Sequence, residues 1–143
     1  MKLSNAEEQL MNLIWEKGTA FMKDILEAYP DPKPANTTVA TLLKRLQEKG
    51  AIYFKLYGNS RAYIPLVEKN DYFSNKVNVM IKKFFNDSPA QFASFFTREI
   101  ELDKTELEEL KKIIEEQLKS QKPWSGLSLR LVLPWLSSIL FIR

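Results

Sequence analysis

From Asn36 to Gly50 the chain alternates in a way that separates two faces of one helix. Val39, Leu42, Leu43 and Leu46 keep the i, i+3, i+4, i+7 spacing of a buried apolar stripe. Thr38, Thr41, Arg45 and Glu48 fall on the other side. A surface helix held only by its core face usually carries long Glu/Lys pairs outside. Here Thr37, Thr38 and Thr41 are poor helix formers in the interior, yet well sized to approach a phosphate or a thymine methyl. The pattern predicts a recognition helix with its N-terminal end in a DNA major groove. The alternative is an ordinary amphipathic helix with Thr37 as N-cap.

The period then changes from helix to strand. Ala51–Tyr57 is rich in aromatic and β-branched residues. Gly58-Asn59-Ser60 reads as a turn, and Arg61–Leu66 as the returning strand, with Ala62, Ile64 and Leu66 inward. A hairpin directly after such a helix is the wing of a winged helix, and its tip offers Lys55, Asn59, Ser60 and Arg61 to a phosphate backbone. Upstream, Ser4 with Glu7 forms a capping box ahead of Leu10, Leu13 and Ile14, and Gly18 stops the helix. A second helix is expected from about Phe21 to Tyr29, broken by the prolines at 30, 32 and 34.

Residues 67–123 read as three helices. The first, about Asp71 to Asn86, carries Phe73, Val77, Met80, Ile81 and Phe84 on one stripe, with Tyr72, Val79 and Phe85 outside it. Apolar groups on so many sides suggest contact with a second chain as well as the helix's own domain. Ser88-Pro89-Ala90-Gln91 opens a short helix bearing Phe92, Phe95 and Phe96. Asp103 with Glu106 opens the last, lined by Leu107, Leu110, Ile113, Ile114 and Leu118. Three helices in about fifty residues make a marginal core alone, so this region is expected to dimerise, the alternative being an intramolecular bundle. The fold class is mainly α with a small β wing. A winged helix-turn-helix domain spans 1–68, a helical dimerisation region 69–123, and an apolar tail 124–143.

Leu3-Ser4-Asn5-Ala6-Glu7, Leu13-Ile14-Trp15 and Thr41–Gly50 together resemble the penicillinase-repressor family, the BlaI/MecI group. The resemblance runs from about Leu3 to Gln121 and is strongest through the first 66 residues. It implies a homodimeric repressor whose winged helix binds a palindromic double-stranded DNA operator. The genes controlled would be those of β-lactamase or related resistance, together with the repressor's own operon. It also implies that Thr38, Thr41 and Arg45 contact DNA, with Thr37 and Ala40 at more variable positions. Many members are inactivated when a membrane-bound sensor protease triggers their cleavage at an Asn-Phe bond. Aligned on Leu102-Asp103, that bond falls at Phe95-Phe96, so the Phe is kept and the Asn is not. Cleavage by a protease of other specificity and relief by another route both stay open.

Composition sharpens this reading. The net charge is only +3, but residues 33–69 hold seven Lys/Arg against two Asp/Glu, an excess of five. That is the footprint of a nucleic-acid binder, or of a solvated surface. The chain has no His and no Cys. It therefore lacks the ligands of a usual zinc site and the partners of a Ser-His-Asp or Cys-His site. Asp and Glu lie mainly in helix first turns and on exposed faces, where capping suffices. No enzyme activity, metal, cofactor or small-molecule ligand is expected. The cysteine-free chain suits a reducing cytoplasm, and its polar N-terminus, opening into a helix, does not read as a signal peptide. A winged-helix module that grips protein rather than DNA is the second reading. The apolar run Leu131–Ile142 is twelve residues long and contains Pro134, short of the roughly 20 residues needed to span a bilayer. A membrane-surface anchor, an added strip of dimer interface and a non-native extension remain as readings of the tail.

Overall fold

Ser4 starts the fold as its spacing from Glu7 predicts. Its hydroxyl accepts from the Glu7 N–H at 3.3 Å, and Glu7 Oε2 accepts from the Ser4 N–H at 2.8 Å. A computed structural model describes residues 1–121. The tail at 124–143 lies outside the described residues. The elements are α1 (Asn5–Lys17), β1 (Ala20–Phe21), α2 (Met22–Ala28), α3 (Asn36–Glu48), β2 (Ile52–Tyr57), β3 (Ser60–Pro65), α4 (Lys69–Phe84), α5 (Pro89–Glu99) and α6 (Lys104–Ser120). Chain packing separates a unit Met1–Ser88 from one that begins at Pro89.

In the first unit, Leu10, Met11 and Ile14 of α1, Ile25 of α2, and Val39, Leu43 and Leu46 of α3 close over Ile52 of the sheet. The strands are antiparallel in the order β1-β3-β2. β1 was not foreseen. It is two residues long, too short for alternation to register, and it pairs Ala20 with Tyr63 and Phe21 with Ala62. Because Phe21 belongs to that strand, α2 begins one residue later than expected.

β3 also departs from the expected inward set. Ala62 and Tyr63 are buried, Ile64 is half-buried, and Leu66 is 58% exposed beyond the strand end. The hairpin turn is two residues, Gly58-Asn59, with Tyr57 paired to Ser60. Gly58 takes φ 61°, the left-handed value that the first central position of a tight hairpin demands and that glycine adopts without penalty.

α4 docks on the same core. The Trp15 indole N–H donates to the Val67 carbonyl at 2.7 Å, and the Trp15 ring lies 5.8 Å from Tyr72 and 5.9 Å from Phe73. Glu8 Oε1 accepts from both the Tyr72 hydroxyl and the Lys76 ammonium. Tyr72, expected outside the helix's principal stripe, is thus its deepest anchor. The helix covers Lys69–Phe84 rather than 71–86 because Asn86 and Asp87 turn left-handed, at φ 52° and 56°. These are among the few non-glycine types that tolerate that region.

In the second unit, Pro89 is the first residue of α5, where its missing N–H costs nothing. Phe92 stacks on Phe96 at 6.1 Å. α6 opens on the expected reciprocal cap, Asp103 with Glu106. Leu107, Ile113, Ile114 and Leu118 stay 39–67% exposed along it. No helix among the described residues is long and apolar enough to cross a membrane.

Candidate nucleic-acid interface

The two faces of α3 separate as its periodicity predicts. Val39, Leu42, Leu43 and Leu46 are buried, while Thr37, Thr38, Thr41, Arg45 and Glu48 are exposed. Thr37 is not the N-cap. That position is Ala35, whose side chain makes no capping hydrogen bond; its carbonyl accepts from the Thr38 and Val39 N–H groups at 3.0 and 3.1 Å. Such a helix end favours an anion. The Thr41 hydroxyl donates to the Thr37 carbonyl at 2.9 Å. With its proton engaged inside the helix, Thr41 offers outward a methyl and an oxygen acceptor.

The wing divides its residues between two faces. Leu56 pairs with Arg61, Phe54 with Tyr63, and Lys55 with Ala62. Directly paired residues share a face and neighbours alternate. Phe54, Leu56, Arg61 and Tyr63 therefore lie on one side; Lys55, Tyr57, Ser60 and Ala62 lie on the other. The expected tip cluster of Lys55, Asn59, Ser60 and Arg61 is exposed throughout, but its two cations look in opposite directions.

Arg61 does not extend freely into solvent. Its guanidinium lies over the Phe54 ring, 4.4 Å from the centroid. It lines a groove between α3 and the wing together with Ala40, Lys44, Gln47, Phe54 and Tyr63. Lys44 and Gln47 were missed as candidates. Their signal was available, since 40, 44 and 47 keep i, i+4, i+7 spacing and define a third, wing-facing flank of α3.

The cations differ in how they are neutralised. Lys49 lies 2.6 Å from the Glu7 carboxylate, and Lys76 pairs with Glu8. Lys44, Arg45, Lys55 and Arg61 form no salt bridge with a carboxylate among the described residues. Lys33, another basic residue ahead of α3, donates to the Glu27 carbonyl at 3.3 Å. Cations elsewhere, such as Lys17, Lys69 and Lys82, also lack a paired carboxylate among the described residues. What marks α3 and the wing is the excess of five positive charges over residues 33–69, a positive surface suited to an anionic partner.

The residues proposed for dimerisation fall in different surroundings. Phe73 packs against the core of the first unit and Ile81 is 8% exposed. Met80 and Leu110 are half-buried. Val77, Phe84, Leu107, Ile113 and Ile114 are exposed. Phe95 is exposed and Phe96 half-buried, both inside the helical span of α5. Among the described residues no group of three or more Asp or Glu is placed to hold a metal ion.

The sequence profile described as Penicillinase repressor matches residues 3–116. The penicillinase repressor of Bacillus licheniformis is 25% identical over 122 residues, covering 85% of this chain and 95% of that one. The methicillin resistance regulatory protein MecI of Staphylococcus aureus is 31% identical over 114 residues, covering 79% and 93%. A solution structure of the DNA-binding domain of the repressor BlaI is also similar, at 28% identity and a TM-score of 0.45, over 50% of this chain and 88% of that domain. The chain therefore belongs to the penicillinase repressor family, a family of DNA-binding transcriptional repressors.

Proposed function

We propose that this repressor binds a palindromic operator as a homodimer, with one α3 in the major groove of each half-site. The observation that carries the reading is the excess of five positive charges over residues 33–69, with Lys44, Arg45, Lys55 and Arg61 unpaired on α3 and the wing, beside an exposed threonine face on a helix end without a side-chain cap. In this arrangement Arg45 holds a guanine or its flanking phosphate. Thr38 and Thr41 meet a thymine-containing step, and Thr37 with the first-turn N–H groups meets the backbone. Lys55, Asn59, Ser60 and Arg61 hold phosphates from the wing. The chain acts by binding rather than catalysis, in the cytoplasm.

The DNA-binding module comprises residues 1–68 and the dimerisation region 69–123, with α4 serving both. Phe73 is packed inward, while Val77 and Phe84 remain exposed for a partner. The uncovered stripe of α6 supports the same use, since Ile113 and Ile114 are more than half exposed. The regulated genes are those of β-lactamase or related resistance and the repressor's own operon, a reading supported by the relatives named penicillinase repressor and methicillin resistance regulatory protein. Relief comes from a membrane sensor protease system acting near Phe95-Phe96. Because that bond lies inside α5, cleavage requires the helix to open locally.

A gel shift on the promoter upstream of the repressor's own gene, repeated over a range of salt, tests the reading. A discrete complex that weakens steeply with salt and outlasts competitor DNA is expected. Equal retention of unrelated duplex at every salt concentration would contradict operator recognition.

A further inference from the structure

We propose that Arg61 and Lys44 form a clamp for one DNA-backbone phosphate, and that Phe54 is the residue that positions it. The proposal rests on the DNA-binding reading above and assigns a site within it. Lys44 comes from the wing-facing flank of α3 and Arg61 from the wing, and both line one groove. Neither forms a salt bridge with a carboxylate among the described residues. Two cations that line one groove from different elements are suited to a phosphodiester, which presents two anionic oxygens.

The positioning role follows from geometry. An arginine at the end of a hairpin would ordinarily sample many rotamers and lose that freedom on binding. Arg61 instead rests 4.4 Å above the Phe54 ring, within the range where the ring's negative face attracts a guanidinium. Phe54 is itself half-buried, packed against the core and 6.3 Å from the Tyr63 ring. The ring is a platform held against the core, and over it Arg61 borders both the groove with α3 and one beside Lys23 and Asp24 of α2. Lys55, on the opposite face of the hairpin, has no part in this site.

The test is a double-mutant cycle in the full-length repressor, read as affinity for operator and for random duplex across a salt series. Phe54→Leu keeps an apolar side chain but removes the π face; Phe54→Trp keeps it. Expected are a loss of about two- to fivefold per half-site for Phe54→Leu on both duplexes and near-normal binding for Phe54→Trp. Arg61→Ala and Lys44→Ala should each flatten the slope of log K against log salt by about one per half-site. In the Arg61→Ala background, Phe54→Leu should cause no further loss.

An equal Phe54→Leu loss with and without Arg61 would overturn the positioning role. An unchanged salt slope in both Arg61→Ala and Lys44→Ala would overturn the clamp, a readout that does not require Phe54→Leu to fold; circular dichroism of Phe54→Leu establishes that its fold is kept before its loss is read. Failure of the unaltered repressor to bind either duplex would overturn the DNA-binding reading and the clamp with it.

Discussion

The Lys49 ammonium, at the C-terminal cap of α3, lies 2.6 Å from the buried carboxylate of Glu7 in the first turn of α1. One side chain thus caps its own helix and fixes the end of the helix assigned to DNA reading. The Lys49 hydrogen bond, the largest influence, holds the Glu7 carboxyl below its ordinary range, against the opposing effect of burial. A depressed carboxylate contributes stability above its unfolded-state pKa and loses it as pH falls through the folded-state value.

Lys49→Ala should therefore destabilise the protein at neutral pH by about 1–3 kcal/mol, because it leaves Glu7 buried without its charged partner. The loss should shrink as the pH drops below the usual glutamate range, where Glu7 is protonated in both states. Denaturant unfolding at several pH values measures this. A penalty independent of pH would mean that the pair contributes by packing alone.

Tyr72 responds at the other end of the scale. Burial, reinforced by its hydrogen bond to Glu8, pushes its pKa up to about 12. A raised pKa means that the associated stability is present below the tyrosine's unfolded-state value and is lost as pH rises toward 12. Tyr72→Phe should cost about 1–2 kcal/mol at neutral pH and remove a tyrosine signal that titrates at about 12 in the ultraviolet spectrum. Retention of that signal in Tyr72→Phe would assign it elsewhere.

The docking of α4 predicts where the first unit can be cut. A fragment of residues 1–88 should fold, with Trp15 as its sole tryptophan giving a blue-shifted emission. Ending the chain at residue 68 removes Tyr72 and Phe73 from Trp15 and should cost about 3 kcal/mol or more. Equal stability of the two fragments would show that α4 adds nothing to this core.

The core stripe of α3 was legible because four apolar residues repeat at one period and their burial needs no distant knowledge. The capping boxes at Ser4–Glu7 and Asp103–Glu106 were legible because each is complete within four consecutive residues. β1 was not, since two residues carry no alternation. The opposite facing of Lys55 and Arg61 was implicit in strand parity. Reading Gly58–Ser60 as a three-residue turn hid it, because the actual two-residue turn pairs Leu56 with Arg61. The anchors Trp15–Tyr72 and Glu7–Lys49 join residues far apart in the chain, which local spacing does not reveal. The shared flank of Lys44 and Gln47 was implicit in their helical spacing, but that it borders a groove with Phe54 and Arg61 depends on where the wing folds.

Assembly is tested on α6. Ile113→Asp with Ile114→Asp places two charges on its exposed apolar face and, if that face is the dimer interface, should weaken self-association by about tenfold or more. Sedimentation equilibrium is the measurement, with circular dichroism confirming unchanged helix content. An unaltered dimer would move the interface to α4, where Val77 and Phe84 are the exposed candidates.

Binding-site selection with the unaltered repressor, Thr41→Ala and Arg45→Ala tests the central claim most directly. Both residues are exposed and lie off the core face of α3, so the fold should survive. The unaltered chain should select a palindrome with half-sites about one helical turn apart. Each variant should lose preference at its own base position, by about 1–3 kcal/mol for the Arg45 fork if it holds a guanine. An identical motif from all three proteins, undiminished at every position, would contradict α3 as the reader.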